Sequence, residues 1–581
     1  MDRLKLAYIT LFATACLMSC DDGFLDRYPL DTVTHETYWK TEEQLKAAIY
    51  PCYGDIFLDN DYLVMYPNAF GVDAVWGDMS SNLVKIPGGR YTYMDGFPFT
   101  SFWRYLYAGI FTCNNFLDHY SAAEIPQNVK DAYAAEIKTL RALAYFWLTC
   151  YWGDVPWIDH VITAEDAYCS RTPRSEVVQH LLDDLDWAAD RLDDAIPTGG
   201  NVGRINRWGA LALKARIALQ NEMWELAAAT AKEIIDNSPY ELYSDYRKLF
   251  TIEANCEVDP GNKESIIVDM FITDVRMNNM SNLICMPVDY VRWNPAKQLV
   301  DAYLCSDGKP AKTGLEYYGR TDVQTSGLYT FPEQHYADYF ASRDPRMAMT
   351  LYVPGDEWPG GDDGDTDTDV SNPEFRLPRF PTLQGNNRNG ANGRTGFYFK
   401  KYSTPALAGQ TNRDYNDRII IRYAEVLLIY AEALFNTQNE TLTQAQIDAT
   451  VNRLRDRVGM HRMILTELAA WGMNLKTELR RERRVELAFE SMRYFDLLRW
   501  KEGEKYLGRA VVGPSHTVCI NDLGNVPYEL GTDEFGDIVW VKSTAEGGAD
   551  HFDPQKHYLW PVPYEERIKN PLLGQNPGWE E

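Results

Sequence analysis

Along most of this chain the apolar residues recur at every third or fourth position, the spacing of helices with one buried face. A first helix is predicted from Thr41 to Leu58, opened by Thr41-Glu42-Glu43. In Phe102 to His119, Trp103, Leu106, Ile110 and Phe111 keep the helical spacing. A third helix, Asn128 to Tyr151, is stopped by Gly153 and Pro156. Thr172 as cap and Pro173 at the first position start the next. Its Val177, Leu181, Leu185 and Leu192 face one way. Helices follow around Trp208 to Arg216 and from Trp224 to Ile235. Ala227, Ala228 and Ala231 in the latter are small enough to let two antiparallel helices approach closely.

From about 240 to 416 this periodicity fades. Ser265-Ile266-Ile267-Val268 predicts a short strand, and the remainder reads as loops carrying Tyr290, Trp293, Tyr317, Tyr318, Tyr329 and Trp358. So long a stretch without regular structure is uncommon inside a helical chain unless it has a function. Helix returns at Arg418 in IIIRYAEVLLIYAEALFN. Gln444 to Val458, ended by Gly459, reads as its antiparallel partner. The expected fold is mainly α with little β: helical pairs similar to tetratricopeptide pairs, whose repeat is about 34 residues. The scaffold covers 41–240 and 417–506. A loop-rich insertion spans 240–416 and an irregular segment spans 507–581, all within a single domain over 41–581.

The densest charge pattern is ELRRERRVELAFESMRYFDLLRW, from Glu478 to Trp500. On one helix Glu478, Glu482, Glu486 and Glu490 stack along one side, with Arg480, Arg481, Arg483 and Arg484 in pairing range at i,i+3 and i,i+4. Val485, Phe489 and Met492 add an apolar stripe, so the helix is predicted to stand half in the core. A carboxylate-bridged di-metal bundle needs His three residues after Glu. Val485, Phe489 and Arg493 occupy those positions, and the pattern reads as a structural ion-pair network.

A net charge of −27 argues against nucleic acid as a partner, because that affinity comes from Lys and Arg neutralising phosphates. The 37 Tyr, 23 Phe and 16 Trp supply a core and leave rings for stacking on ligands. Arg3 and Lys5 precede an apolar run from Leu6 to Met18 that is too short to span a bilayer. It ends in Leu17-Met18-Ser19-Cys20, which resembles a lipobox. Residues 1–19 are therefore expected to be a lipoprotein signal peptide, Cys20 the lipidated residue and 20–40 a tether. The acyl chains would be the only anchor in membrane lipid. No C-x-x-C pair occurs among the eight later cysteines, which are expected mostly as buried thiols.

Ordered motifs carry a family resemblance. ER-x-x-E-L-A-F-E-x-x-R-x-x-D-L-x-R-W from Glu482 to Trp500 resembles the C-terminal signature of the SusD/RagB family. Asn114-Asn115, the Glu136–Ala142 segment followed by Gly153 to Pro156, and Arg422 to Ala433 match in order. So do Asn452–Arg457 and the ending Pro561-Val562-Pro563 … Gln575-Asn576-Pro577-Gly578. Asp21-Asp22 after Cys20 resembles the surface-export signal of Bacteroidetes lipoproteins. The resemblance implies a cell-surface, outer-membrane lipoprotein that captures a nutrient, usually an oligosaccharide. It would act as a hinged lid on a SusC-like TonB-dependent transporter. Peptide capture, as in the RagB branch, is the alternative ligand class, and a surface glycoside hydrolase is the alternative activity.

No H-E-x-x-H, G-x-S-x-G, G-x-x-x-x-G-K-[ST] or G-x-G-x-x-G motif is present, so no catalytic constellation is predicted. Aromatic rings stack on sugar faces while amides and charged groups bond hydroxyls. On that chemistry the candidate ligand-binding residues are Trp76, Asn82, Tyr91, Trp293, Tyr329 and Trp358. Asp362 to Asp369, DDGDTDTD, offers the oxygen ligands that calcium takes. Read as an EF-hand loop from Asp363, however, it has Thr368 where glycine is required, so calcium stays an open alternative to a solvated acidic loop.

Overall fold

The computed structural model describes residues 38–580, apart from 58–63, 79–80, 164–165, 286–290, 314–318, 357–394, 408–409, 510–511, 524–531, 533–536 and 540–550. Six helices build the first half: α1 (Glu42–Phe57), α2 (Phe99–His119), α3 (Gln127–Trp152), α4 (Arg174–Ala189), α5 (Arg207–Gln220) and α6 (Trp224–Asn237). Their ends follow local chemistry. The Thr41 hydroxyl accepts from Gln44 N at 3.3 Å while the Gln44 carboxamide accepts from Thr41 N at 3.1 Å, a reciprocal cap. Asn206 caps α5 by accepting from Gly209 N at 3.1 Å. Gly153, at φ +73°, ends α3 in a conformation that L side chains rarely adopt.

The start of α4 differs from expectation. Pro173 is the cap residue, and Thr172 instead pairs with Val155 in an isolated bridge. Asp154 Oδ1 accepts the orphan Arg174 N–H at 2.8 Å, so a carboxylate from the preceding turn does the capping.

Each helix packs on its neighbours in sequence, α1 on α2 and so on to α6, and α7 (Tyr423–Thr437) then lies on α6. The insertion thus leaves the stack of helices unbroken. Between α6 and α7 no helix exceeds six residues among the described residues. Among the described residues the sheets are three two-stranded antiparallel ribbons: β1 (Ala74–Trp76) with β3 (Trp293–Pro295), β2 (Ser265–Asp269) with β4 (Arg418–Arg422), and β5 (Val512–Ser515) with β6 (Asp537–Val539). The chain is mainly α.

Three predicted helices are corrected. Arg418 to Arg422 is strand β4: its three consecutive β-branched isoleucines pair with β2, and helix begins only at Tyr423. The partner of α7 is two pieces, α8 (Gln444–Ala449) and α9 (Val451–Val458), interrupted at Thr450 (φ −127°, ψ −90°). The charged stretch likewise breaks into α10 (Leu475–Glu486) and α11 (Arg493–Arg499). In the turn between them Phe489 and Ser491 have φ of +63° and +64°. Asn68 Oδ1 accepts from Ser491 N at 2.7 Å, and Phe489 stacks on Phe399 at 3.9 Å. These contacts compensate for a backbone that non-glycine residues rarely take.

The ion-pair network exists but is buried rather than half-exposed, and its partners come largely from elsewhere. Glu478, Glu482 and Glu486 are at most 1% exposed. Within the helix Arg481 pairs with Glu478 at 3.2 Å. Glu482 meets Arg346 at 2.6 Å and Arg455 at 2.8 Å. Glu486 meets Arg346, Arg422 and Arg457. Glu490, in the turn, takes Arg422 and Lys401 at 2.7 and 2.6 Å. Burial alone would raise the Glu486 carboxyl, but three guanidiniums override it and hold it far below the usual carboxylate range. Insertion (Arg346, Lys401), strand (Arg422) and helix pair (Arg455, Arg457) are therefore tied to α10 and the turn that follows it.

The C-terminal segment returns to the helical scaffold. Trp560 stacks on Tyr151 at 4.0 Å and donates to Tyr494 Oη at 3.0 Å. The Asn576 amide bonds the carbonyls of Trp152 and Trp560, and Arg171 donates to Asn576 Oδ1 at 2.6 Å. Cys52, Cys113, Cys150, Cys305 and Cys519 are buried free thiols, and Cys169 and Cys256 are partly buried free thiols. The 1–19 signal, Cys20, Trp358 and the acidic run Asp362–Asp369 lie outside the described residues, as do Tyr290, Tyr317 and Tyr318.

Candidate functional site

The early aromatic stretch and the insertion meet through β1 and β3. Their antiparallel register puts Trp76 opposite Trp293. The two indoles lie edge to face with centroids 5.0 Å apart, a favoured geometry for aromatic pairs. Gly77 makes the closure possible: a Cβ there would stand 2.2 Å from Val291 O, and Gly77 N donates to Arg292 O at 2.7 Å.

Tyr66, from the 3-10 turn Tyr66–Ala69, lies 5.3 Å from Trp76, 6.4 Å from Trp293 and 5.7 Å from Phe97. Exposure falls steeply through this cluster. Phe97 is 38% exposed and Tyr66 partly buried, whereas Trp76 is 8% exposed and Trp293 fully buried. Trp293 backs onto Phe489 at 6.0 Å, so the cluster is rooted at the turn between α10 and α11.

Polar groups border the open side. Arg292 approaches Asp78 at 3.7 Å, and its guanidinium lies 5.8 Å from the Trp76 ring. The Asn82 amide donates to Phe97 O at 3.0 Å and so supports the exposed ring, leaving its carbonyl oxygen for other partners. Ser81 caps the 3-10 turn at Asn82 by accepting from Leu83 N at 3.2 Å. The result is one apolar ring face flanked by a carboxylate, an amide and a guanidinium.

The six candidate residues do not form one site. Trp76, Trp293 and Asn82 come together here, with the two indoles supporting the rim from beneath. Tyr91 is 2% exposed and packs between Phe99, His557 and Trp579, all with centroids 5.1 Å away. Tyr329 is 8% exposed; its hydroxyl donates to Glu333 at 2.6 Å and Arg343 covers its ring at 5.0 Å. Both rings are occupied by protein neighbours. Phe97, Tyr66 and Arg292, which join the site, were not among the candidates. Sequence marks Phe97 only by its place in an aromatic, glycine-bearing loop, and gives no sign that its ring is the one left open.

No three His, Cys, Asp or Glu side chains gather as a metal site requires among the described residues. A second charged centre lies in the insertion. Lys297 is fully buried, with Asp301 at 2.6 Å, Asp537 at 2.9 Å and Glu333 at 3.8 Å. Burial pushes the Asp537 carboxyl up to about 6 despite both Lys297 and Lys312. This centre ties β6 to the insertion and adjoins Tyr329 through Glu333.

Two family models match the chain. The one described as the SusD family matches residues 263–579, more than half of the sequence. This chain belongs to the SusD family. The second, described as starch-binding and associating with the outer membrane, matches residues 56–219. Among curated relatives, a SusD-like protein, P2, from Formosa agariphila is 27% identical over the whole of both chains. A SusD-like protein from Bacteroides ovatus is 23% identical over 99% of this chain and 98% of its own. The crystal structure of a SusD-like carbohydrate binding protein from Bacteroides fragilis matches with a TM-score of 0.75. It is 23% identical and covers 92% of this chain and 100% of its own. A laminarin-binding SusD-like protein matches with a TM-score of 0.61 and 21% identity, over 93% and 100% of the two chains. These structures share the SusD fold described above. No helix among the described residues is long and apolar enough to cross a membrane.

Proposed function

We propose that this SusD-family chain is a non-catalytic, cell-surface carbohydrate-binding lipoprotein that captures an oligosaccharide at the outer membrane. In this reading residues 1–19 are a signal peptide, Cys20 is lipidated, 20–40 is a tether, and 41–581 acts as one unit. That unit is the lid of a SusC-like TonB-dependent transporter. Family membership carries the proposal, since one matched model is described as starch-binding and outer-membrane associated. Relatives named for carbohydrate and laminarin binding support the ligand class.

The rim supports it chemically. The Phe97 ring offers an apolar face to the apolar side of a sugar ring. Asp78 and the Asn82 carbonyl accept from hydroxyls and Arg292 donates to them. Trp76 and Trp293 contribute by keeping that rim rigid, which limits the ordering cost on binding. Trp358 is retained as a further stacking candidate.

Calorimetric titration with plant, host and microbial oligosaccharides, and with a peptide digest, tests the reading. Saturable heat with one glycan class, reduced by Phe97→Ala without loss of folding, is expected. Heat from peptides alone, or cleavage of the bound glycan, would overturn it.

A further inference from the structure

Although the chain carries a net charge of −27, one cavity is walled by cations. It has a volume of about 310 Å³ and opens between α10 and the segment running from Arg493 to Tyr506. Lys476, Arg480, Arg481, Arg484, Arg493 and Lys505 line it, and Glu502 is the one carboxylate among its described lining residues.

Four of these cations have carboxylate partners. Lys476 pairs with Glu440 at 2.5 Å, Arg480 with Glu502 at 2.8 Å, Arg481 with Glu478 at 3.2 Å, and Arg484 with Asp73. Arg493 has only a long contact with a carboxylate that Arg484 already holds, and Lys505 has no ion pair among the described residues. The Arg493 side chain is 12% exposed and its Nε is buried without a hydrogen-bond partner among the described residues. The nearest carboxylate in ion-pair range, Asp73, is 3.8 Å away and is already bonded through both oxygens by Arg484. Tyr506 and Trp500 present ring faces to the Arg493 guanidinium at 5.0 and 6.0 Å, which does not satisfy its N–H groups. Lys505 is exposed, lies 4.7 Å from the Tyr506 ring, and has no ion pair among the described residues.

A nearly buried guanidinium with unspent donors is costly unless something accepts from it. Burial, then the neighbouring Arg484 cation, both depress the Arg493 pKa, the direction expected where positive charge is in excess. An oxyanion would relieve both problems, because its geometry matches the guanidinium fork and its charge offsets the surplus.

We propose that this cavity binds a compact oxyanion, a sulfate, phosphate or carboxylate group, with Arg493 and Lys505 as its principal donors. The volume exceeds what a free inorganic ion fills and leaves room for a small group bearing the anion. The site is separate from the Phe97 rim and does not depend on the rim being a glycan site.

The test is calorimetric titration of the full chain at low ionic strength. Inorganic sulfate, inorganic phosphate and glucose 6-sulfate are the probes, with glucose as the neutral control. Saturable binding of at least one anion and none of glucose is expected, weakening as salt is added. Lys505→Gln, at an exposed position, should fold normally and weaken binding about tenfold, the loss of one charge-assisted bond. Arg493→Gln should abolish it. Should Arg493→Gln fail to fold, the Lys505 variant carries the test. Tighter binding of glucose 6-sulfate than of sulfate identifies a sugar-borne anion as the ligand; equal binding identifies the free ion. Absence of saturable anion binding, or binding unchanged by Lys505→Gln, overturns the proposal.

Discussion

The charged lattice around α10 and the aromatic rim at Phe97 make opposite use of the same kind of side chain. In the lattice, Arg346, Arg422, Glu482 and Glu486 are each at most 1% exposed, and each has partners fixed by different segments. At the rim, Arg292 and Asp78 keep 20% and 36% of their side-chain surface in water and approach no closer than 3.7 Å. A buried charge is costly unless it is matched, so the carboxylates of the lattice, Glu482 and Glu486, are each taken up by two or more guanidiniums. A charge that keeps part of its surface in water depends less on a close partner, so the rim can hold its charges at this longer distance. The first region ties distant segments together, and the second is where glycan recognition is proposed.

The sharpest way to break this contrast is Arg422→Met. It takes one cationic partner from each of Glu264, Glu486 and Glu490, and breaking buried pairs costs about 3–5 kcal/mol. Urea denaturation should show a loss of that size, and a loss no larger than a surface pair gives would mean that the lattice is not what holds the insertion. Trp293→Ala comes next, because this residue belongs to both regions. Removal of a buried indole costs about 3 kcal/mol or more, and loss of its support for Trp76 and Tyr66 should also weaken glycan binding. An effect on stability with binding intact would separate the rim from its foundation.

Acid sharpens the comparison further. Burial by itself would raise the Glu432 carboxyl, but Arg499, at 2.6 Å, overrides it and lowers its pKa to about 2. The unfolded value is about 4.3, so the stabilisation is complete above that pH and is lost as pH falls from about 4.3 through about 2. It is worth about 2–3 kcal/mol over that window. Denaturation midpoints of the parent chain should therefore fall more steeply in acid than those of Glu432→Gln. Parallel curves would show that Glu432 carries no such linkage.

Phe97→Ala is the smallest perturbation. Its ring is partly in water, so stability should change by about 0.5 kcal/mol or less. Glycan affinity should fall about fivefold to tenfold, the worth of one stacking contact. The reverse pattern, a stability loss with affinity unchanged, would place recognition elsewhere.

Much of the scaffold was legible because its signals are local. Helical spacing with Gly153 and Pro156 placed α3, and Thr41-Glu42-Glu43 marks the start of α1. The ion-pair network was legible as a pattern of Glu and Arg, but not its partners. Arg346 and Arg422 enter from remote segments, and no spacing along α10 encodes that. The breaks at Thr450 and at Leu487–Met492 carry no glycine or proline. They exist because tertiary contacts, such as Asn68 to Ser491 and Phe399 to Phe489, outweigh helix propensity. At the candidate site, residue type alone pointed to rings. Four of the chosen rings, Trp76, Tyr91, Trp293 and Tyr329, are buried, since large aromatic side chains bury the most area and are drawn into cores.

By itself the sequence determined the helical scaffold, the SusD-family membership carried by its ordered motifs, and the concentration of charge in one helix. Each of these is written in residues close together in the chain, where periodicity, caps and motifs act. Only the tertiary structure decided that this charge is buried, that Trp76 meets Trp293, that Phe97 keeps part of its ring in water, and that Arg493 lines a cation-rich cavity while sharing Asp73 with Arg484. Those outcomes depend on which distant segments arrive at the same place, and burial, pairing and exposure are properties of that meeting rather than of any one stretch.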